Sequence, residues 1–172
     1  TRYWPHCILF LLVAILFWQN YTPGTWLTGW DNLHPEFAFG TNIIDRSIFS
    51  TWQEYQGLGV RAGNAHAADL LRQIFLWVLS FGFQTSMLRY IYHFLALLVG
   101  ALGAYELIYR KLTKSHEQAV MQIAGLGGAL FYLLNLGSMQ NFYVPYEAFS
   151  HLYASLPWLL LGLFSFLEPP NK

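Results

Sequence analysis

Charged residues are scarce in this chain of 172 residues, of which 10% are Asp, Glu, Lys or Arg and 55% are apolar. An average soluble domain carries about 25% charged residues, so this composition is that of a membrane protein. Lysines and arginines form no long run and the formal net charge is zero. The chain therefore lacks the electrostatic footprint of a nucleic-acid-binding protein.

Cysteine is nearly absent as well, since Cys7 is the only one and lies within the first apolar run. One cysteine cannot form an intrachain disulfide, and here it packs as a small apolar residue. No small-residue cleavage site follows the run, which indicates a membrane anchor and not a secretory signal. The chain lacks an initiating Met and stops soon after an apolar run. We expect a fragment, with the remaining C-terminal part of the same protein as its partner.

Long apolar runs, in contrast, are abundant. A helix that crosses the hydrocarbon core needs about 20 mostly apolar residues, and four segments approach this length. The short first and last segments carry Trp and Tyr, which favour the membrane interface. The predicted spans are Tyr3 to Trp18, Tyr90 to Tyr109, Ala119 to Leu136 and Leu152 to Leu167. We expect an all-α polytopic membrane bundle of about four transmembrane helices, which forms one transmembrane domain over residues 1–172.

A fifth stretch, Ala67 to Gln84, is amphipathic. Polar residues such as Asp69 and Gln73 recur at helical spacing on one side, and large apolar residues occupy the other. Its fully apolar core, Ile74 to Leu79, covers only about 9 Å along a helix, against the roughly 30 Å needed to cross the bilayer. This pattern predicts a helix that lies in the membrane interface.

Positive charges orient the predicted spans. Arg110, Lys111 and Lys114 crowd the connection between the second and third spans, which makes that connection cytoplasmic by the positive-inside tendency. The long connection 19–89 and the short connection 137–151 then lie outside. We expect an integral protein of the plasma membrane, with surface helices in its long outer loop.

Within the long loop, a short outer helix is predicted from Ile43 to Gln56. Asn42, with Asp45 three residues later, resembles a capping arrangement, and apolar residues follow at helical spacing. Gly57 can end this helix, because glycine tolerates the conformation of a helix C-terminus.

Three features of the spans indicate architecture. Glu106 precedes Arg110 by four residues, so a local ion pair is expected. His93, near the outer end of the second span, either faces a cleft or packs as a satisfied histidine. Gly125 to Gly128 favours close helix packing, because small residues let helix backbones approach.

Two carboxylates, Asp31 and Glu36, flank Pro35 in the long loop, outside a regular helix and free to point into a cleft. Loops on rigid scaffolds often hold catalytic groups, and a carboxylate just beyond a span sits where water meets lipid. Asp31 and Glu36 are therefore the candidate catalytic residues, with Asp31 first. The alternative is that Asp31 only caps a turn with its neighbour Asn32.

Arginines of the loop are candidate donors to a substrate phosphate. Arg grips phosphate bidentately, so Arg46, Arg61 and Arg72 are candidate substrate-binding residues. Attraction to anionic lipid headgroups explains the same three arginines equally well. Glu147, on the second outer connection, is a further candidate carboxylate for the substrate site.

A metal site is one more interpretation of the loop. His66 and Asp69 stand three apart, a spacing compatible with shared ligation or with a hydrogen bond that fixes the imidazole. His34 and Glu36 add donors nearby, but a structural zinc site is not expected without cysteine. We expect instead a divalent cation, Mg²⁺ or Mn²⁺, that Asp31 would hold together with a substrate phosphate.

The order of these features resembles the N-terminal part of the GT-C superfamily of polytopic glycosyltransferases. A first span leads to Gly29-Trp30-Asp31 in a long outer segment, then to an amphipathic interface helix and a second span with a basic turn. The run Phe49 to Gly59 is similar to the first-loop region of bacterial arabinofuranosyltransferase-like membrane proteins. The resemblance covers Tyr3 to about Lys114. In that superfamily an acidic residue of the first outer loop is the catalytic carboxylate, and Asp31 matches its position, with Glu36 as the nearest substitute.

The resemblance implies sugar transfer, with inversion, from a polyprenyl-phosphate donor to an acceptor hydroxyl on the outer face. Asp31 would be the general base, and arginines or a divalent cation would stabilise the departing phosphate. The interface helix would hold the lipid carrier at the correct depth. Two alternatives without covalent chemistry stay open, a transporter or flippase and a structural subunit of a membrane complex. The scarcity of ionisable groups in the middle of the spans counts against the transporter.

Overall fold

The computed structural model describes residues 3–29, 34–49, 52, 58–59 and 69–168. These residues are 78% helical and include no strand, which confirms the all-α class. The described helices are α1 (Trp4–Asn20), α2 (Thr41–Ile48), α3 (Leu70–Leu79), α4 (Thr85–Leu107), α5 (Gln118–Leu134), α6 (Leu136–Tyr143) and α7 (Glu147–Leu167). A 3₁₀ turn, Pro35–Phe37, precedes the π-helical α2, and α4 continues through a π-helical turn, Ile108–Leu112.

Two stretches are long and apolar enough to cross a membrane, namely Thr85–Leu112, which is α4 with its π-helical turn, and α7. The pair of α5 and α6 makes a third if it is counted as one span, although the two helices are bent by 45° at their junction. α1 is apolar but has only 17 residues. Two or three helices in the described part of the chain therefore qualify as spans, and the count of four stays a prediction.

The chain divides into two compact units. The bundle unit comprises Thr1–Thr22, Leu27–Asn32 and Tyr90–Lys172. The loop unit comprises Pro23–Trp26 and Leu33–Arg89, which is most of the long connection expected between the first two spans.

The bundle unit arranges α1, α4, α5 and α7 in alternating directions. Trp4 and His6, near the start of α1, contact Gln122 near the start of α5 and Tyr105 near the end of α4. α1 is therefore parallel to α5 and antiparallel to α4, as in up-down bundles with short connections. All four helices contribute to one apolar core, which contains Leu9, Val13, Leu97, Ala101, Tyr105, Ala129, Leu133 and Tyr153.

Glycines let the bundle helices approach closely. A Cβ atom at Gly100 would overlap the ring of Tyr153, and one at Gly103 would lie 2.6 Å from Nε1 of Trp158. α7 therefore runs beside α4 in the same direction, with its two large rings over glycines. A Cβ atom at Gly125 would lie 3.0 Å from an aromatic ring of α4, which confirms the close packing predicted for this glycine.

Two helix breaks in the bundle interrupt the backbone hydrogen-bond ladder. Pro157 lies inside α7 and has no N–H to offer the carbonyl of Tyr153, and the junction of α5 and α6 interrupts the ladder at the carbonyl of Tyr132. Tyr132 Oη donates to the Tyr153 carbonyl at 2.9 Å, and Tyr153 Oη donates to the Tyr132 carbonyl at 3.2 Å. Their rings stack with centroids 4.3 Å apart. Each tyrosine thus supplies a donor to the backbone break beside the other, where an unmet carbonyl would be costly.

The two hydroxyls are not equivalent. The Tyr132 carbonyl also accepts from Asn135 Nδ2 and Ser138 Oγ, each at 2.9 Å. Loss of the Tyr153 hydroxyl therefore leaves that carbonyl with donors, whereas the Tyr132 hydroxyl replaces the N–H that Pro157 lacks.

α2 differs from the outer helix predicted from Ile43 to Gln56. It spans Thr41–Ile48, and Phe49 already lies in a bend, so the predicted helix was too long. Asn42 does not cap it, because its Nδ2 donates to the carbonyl of Ala38 at 2.9 Å from inside the helix. The capping prediction was wrong because a short amide side chain can bond the backbone four residues back as readily as it caps a helix.

α3 lies within the predicted interface segment and is shorter than the prediction from Ala67 to Gln84. Its inward side carries two polar residues, Arg72 and Gln73, together with Leu76, all of which are buried. Its outward side is apolar, with exposed Leu71, Ile74, Trp77 and Val78. The predicted amphipathic pattern is therefore present, with the polar side turned towards the protein.

We predict that Tyr132→Phe lowers the free energy of unfolding by about 1–2 kcal/mol, because it removes the donor at the Pro157 break. Tyr153→Phe should cost less, because two other donors reach the Tyr132 carbonyl. Unfolding of the purified protein in detergent micelles measures both changes. Tyr143→Phe is the control, since Tyr143 is 87% exposed. An equal or larger loss with Tyr153→Phe would contradict the assignment.

Candidate functional site

The described part of the loop unit buries seven polar side chains beside Leu76 and Leu88, and it exposes several large apolar ones. Soluble proteins show the opposite preference, so a polar interior and large exposed apolar patches are the informative features. The buried polar residues are Glu36, Asn42, Ser47, Arg72, Gln73, Ser86 and Arg89, and the strongly exposed apolar ones include Phe37, Ile44, Ile48, Phe49, Leu71, Val78 and Phe81. Groups able to do chemistry therefore lie inside this unit.

Glu36, His34 and Arg89 form a buried cluster, here called the carboxylate cluster. Pro35 opens the 3₁₀ turn, where its fixed φ suits the first helical position, and the turn carries Glu36 inward. His34 Nδ1 lies 3.1 Å from Glu36 Oε1. Arg89 Nη1, near the start of α4, lies 2.8 and 2.9 Å from the two ring nitrogens of His34. A tautomer in which His34 donates to Glu36 and accepts from Arg89 satisfies this chain of bonds.

The cluster holds opposite charges away from water. The side chains of Glu36 and Arg89 are 0% and 1% exposed, with Arg89 Nε 4.0 Å from Glu36 Oε1. A buried ion is costly unless another charge and hydrogen bonds offset it, and here the guanidinium offsets the carboxylate. His34 is 25% exposed and connects the two ions to the surface.

One carboxylate oxygen of the cluster has an unused bonding capacity. Glu36 Oε2 is buried and has no hydrogen-bond partner within the described residues. The same holds for Oε1 of Gln73 on α3, a helix that packs against the 3₁₀ turn carrying Glu36. Buried acceptors without donors are rare in native structures, and each requires an explanation. Both would be satisfied by a ligand that brings hydroxyl groups.

Asp69 is a predicted metal ligand, and Arg72 is a predicted hydrogen-bond donor to a substrate phosphate. In the structure these two side chains form an ion pair with each other. Arg72 Nε and Nη2 donate to the two carboxylate oxygens of Asp69, each at 2.6 Å, and Gln73 Nε2 donates at 3.2 Å. A bidentate fork of this kind is the strong form of an Arg–carboxylate pair. Their predicted roles stay predictions, and either role would require this fork to open.

The remaining predicted site residues are dispersed. Asp31, Arg61 and His66 lie outside the described residues. Arg46, on α2, donates from Nη1 to Asn42 Oδ1 at 3.3 Å. No group of three or more His, Cys, Asp or Glu that could hold a metal ion occurs among the residues described, so the divalent-cation site of Asp31, His66 and Asp69 stays a prediction.

Glu147 belongs to the bundle unit and is the first residue of α7, not part of a connection. The prediction placed it in a loop because its apolar neighbours begin only later, whereas the helix starts five residues before the apolar run. A carboxylate at a helix N-terminus is stabilised by the helix dipole, and the predicted role of Glu147 in the substrate site stays a prediction. Its carbonyl accepts from Nδ1 of His151 at 2.9 Å.

Two titratable residues of the spans have structural partners. Nδ1 of His93 lies 2.9 Å from Oγ of Ser150, and both residues are buried where α4 meets α7. Glu106 pairs with Arg110, which confirms the predicted ion pair, and its other oxygen lies 3.0 Å from Nε2 of His6.

Arg89 is the residue of the cluster that sequence reasoning missed. The apolar run that defines the second span starts at Tyr90, so Arg89 was assigned to the end of the outer loop. The helix begins earlier, at Thr85, and carries Arg89 inward. A lone arginine at the end of a span, with acidic residues in the preceding loop, was the available signal.

We predict that Arg89→Met destabilises the protein by about 3–5 kcal/mol, because it leaves the Glu36 carboxylate buried without a counter-charge. The double variant Glu36→Gln/Arg89→Met should recover much of this loss, since no ion is left alone. Thermal unfolding in detergent, with the exposed Asp45→Asn as control, measures both. A double variant no more stable than Arg89→Met would refute the charge pairing.

Comparison with protein-family models, with curated proteins and with solved structures finds no match for this chain. The chemistry of the carboxylate cluster and the polarity of the two units are therefore the basis on which its function is inferred.

Proposed function

We propose that the chain is a membrane glycosyltransferase of the GT-C type. It transfers a sugar from a polyprenyl-phosphate donor to an acceptor hydroxyl at the outer surface of the plasma membrane. The observation that carries this proposal is the buried Glu36 carboxylate, which Arg89 offsets in charge and whose Oε2 accepts from no donor in the part of the chain that the structure describes. Spanning-type helices supply the membrane setting in which such a reaction takes place.

Glu36 has the chemistry of a general base for an incoming hydroxyl. In the proposed step, the acceptor O–H donates to Glu36 Oε2 and its oxygen attacks the anomeric carbon of the donor sugar. The bond from that carbon to the phosphate oxygen breaks, the phosphate leaves with the electron pair, and the hydroxyl proton passes to the carboxylate. A positioned base of this kind accelerates a reaction by about 10²–10⁴-fold.

Gln73 supports a hydroxyl-rich ligand in the same unit. Its Nε2 donates to Asp69, and this hydrogen bond orients the amide. Its Oε1 is then a buried acceptor that no described residue satisfies. A sugar carries several hydroxyl donors, so it can satisfy acceptors that the protein leaves open. Asp31, five positions before Glu36, is the second candidate base. Arg46 and Arg61 are the proposed donors to the departing phosphate, which a divalent cation would also stabilise.

We also propose that four helices cross the membrane and that α3 lies in its outer interface. The alternating directions of α1, α4, α5 and α7 support four spans. Glu106 pairs with His6 and with Arg110, and these residues lie at the end of the bundle that carries the basic connection. Such charges mark the cytoplasmic side. The exposed apolar side of α3 supports contact with lipid.

Single cysteines introduced at Lys114 and Asn64 in a Cys7→Ser background test this topology. We expect a membrane-impermeant maleimide to label position 64 on intact cells, and to label position 114 only after permeabilisation. The physical reason is that an odd number of spans separates the two positions. Labelling of both from one side would discard the four-span arrangement.

A transfer assay tests the chemistry. Membranes containing the full-length protein are given a labelled polyprenyl-phosphoryl sugar, with arabinofuranose first because of the resemblance, and transfer to acceptor is followed. Glu36→Gln should reduce the rate at least about 100-fold, because the amide cannot take the proton. Because Glu36→Gln also leaves the Arg89 guanidinium buried without its counter-charge, rates are compared per amount of folded protein. The double variant Glu36→Gln/Arg89→Met, in which no ion is left alone, should be equally inactive, which separates loss of the base from loss of stability.

Asp45→Asn is the matched control, since it removes an exposed carboxylate of the same unit. Loss of transfer in Asp31→Asn with retention in Glu36→Gln would assign the base to Asp31. Retention in both variants would refute a carboxylate-based transferase.

A further inference from the structure

A cavity of about 430 Å³ opens in the bundle unit, and none of its lining residues belongs to the carboxylate cluster. Its walls come from the end of α1, the first part of α4, the end of α5 and α6. The break between α5 and α6 forms it, because α6 turns by 45° and no longer follows the bundle axis. Asn135 fixes this turn, since its side chain accepts from the backbone N–H of Ser138 at 3.0 Å.

The lining is apolar and uncharged. Half of the twelve lining residues are Leu16, Phe94, Leu97, Leu133, Met139 and Phe142. Its polar members are amides and hydroxyls, and none of the lining residues is Lys, Arg, Asp or Glu. The Ser138 hydroxyl is already used, because it donates to the Tyr132 carbonyl. Gln140 is exposed, and Asn20 Nδ2 donates to the carbonyl of Leu16 at 2.7 Å and keeps its second N–H for a ligand.

We propose that this cavity binds one acyl chain of a neutral or zwitterionic glycerolipid. The volume falls in the range of about 300–1,000 Å³ typical of small-molecule sites, and its walls match a hydrocarbon chain. Amide side chains beside an apolar cavity suit the ester region of such a lipid, which accepts hydrogen bonds and carries no net charge.

Because the lining carries no charge, the cavity suits a neutral or zwitterionic glycerolipid better than a polyprenyl phosphate. In a polyprenyl phosphate an anionic group follows the chain directly, and anions at protein sites are held by Arg, Lys or clustered N–H donors. None of the residues lining this cavity supplies a cation. The proposal depends on the membrane location of the bundle, but not on the transfer reaction.

The position of the cavity fits lipid from one leaflet. Leu16 and Asn20 lie at the end of α1 that is remote from the His6–Glu106 ion pair. In the proposed topology this is the outer half of the bilayer. Tyr143, which also lines the cavity, is 87% exposed, and tyrosine favours the level of the headgroups.

Native mass spectrometry of the full chain, released from detergent micelles, tests the proposal. The probes are palmitoyl-oleoyl phosphatidylethanolamine and, separately, undecaprenyl phosphate, each added at a fixed ratio. Met139→Trp and Leu134→Trp introduce bulk from two walls at partly exposed positions, so that one informative variant remains if the other fails to fold. Ile123→Trp is the matched control, because Ile123 is exposed on α5 and does not line the cavity.

We expect the phosphatidylethanolamine adduct to survive on the unmodified protein and on Ile123→Trp, and to fall at least fivefold in both cavity variants. Thermal unfolding of each variant confirms that it is folded. Equal retention in all folded variants would show only non-specific lipid around the helices and would overturn the proposal. So would absence of the adduct, or a cavity-dependent adduct of undecaprenyl phosphate alone. Because no transfer is measured, failure here is distinguishable from failure of the proposed glycosyltransferase.

Discussion

Every polar group removed from water needs a partner, and this constraint shapes both units of the protein. In an apolar environment an unmet backbone carbonyl or side-chain acceptor costs several kcal/mol, so breaks in helices must be compensated locally. The bundle unit tolerates Pro157 because Tyr132 donates to the interrupted carbonyl of Tyr153. It tolerates the α5–α6 junction because the carbonyl of Tyr132 accepts from Asn135, Ser138 and Tyr153. Without these donors, the bend that opens the cavity beside α6 would carry a larger cost.

In the loop unit, ion pairs supply the partners of buried polar groups. Arg72 donates to both carboxylate oxygens of Asp69. His34 and Arg89 are the partners of one carboxylate oxygen of Glu36, Oε1. Within the described part of this unit, Glu36 Oε2 is a carboxylate oxygen and Gln73 Oε1 an amide oxygen that accept no hydrogen bond. An interior that is otherwise so closely paired makes these two atoms the natural contacts of a hydroxyl-bearing ligand, and this is why the proposed chemistry rests on Glu36.

The distribution of polarity in the loop unit also limits where it can reside. Leu71 and Phe81 are 80% and 75% exposed, whereas Arg89 is 1% exposed. Water outside such a surface would be unfavourable, because burial of apolar area is the main driving force of folding. Lipid or an apolar partner surface on the outside reverses that preference, and the polar residues then gain from meeting one another inside.

Much of the architecture could be predicted from the sequence, because it depends on local composition and period. Apolar runs located α1, α4, α5 and α7 to within a few residues at most ends, and the alternation of polar and apolar residues located α3. The i, i+4 spacing of Glu106 and Arg110 predicted their ion pair. Boundaries failed where a polar residue continued a helix: Arg89 and Glu147 were assigned to loops although helices carry them.

By itself the sequence determined an all-helical chain with helices of membrane-spanning character and an amphipathic segment between the first two. These properties follow from hydropathy and period, which act over a few neighbouring residues. Only the tertiary structure decided that Arg89 meets Glu36 across 53 positions of chain, and that Tyr132 and Tyr153 donate to each other's backbone carbonyls. Those pairings depend on how the chain folds back on itself, and no spacing along the sequence encodes that distance.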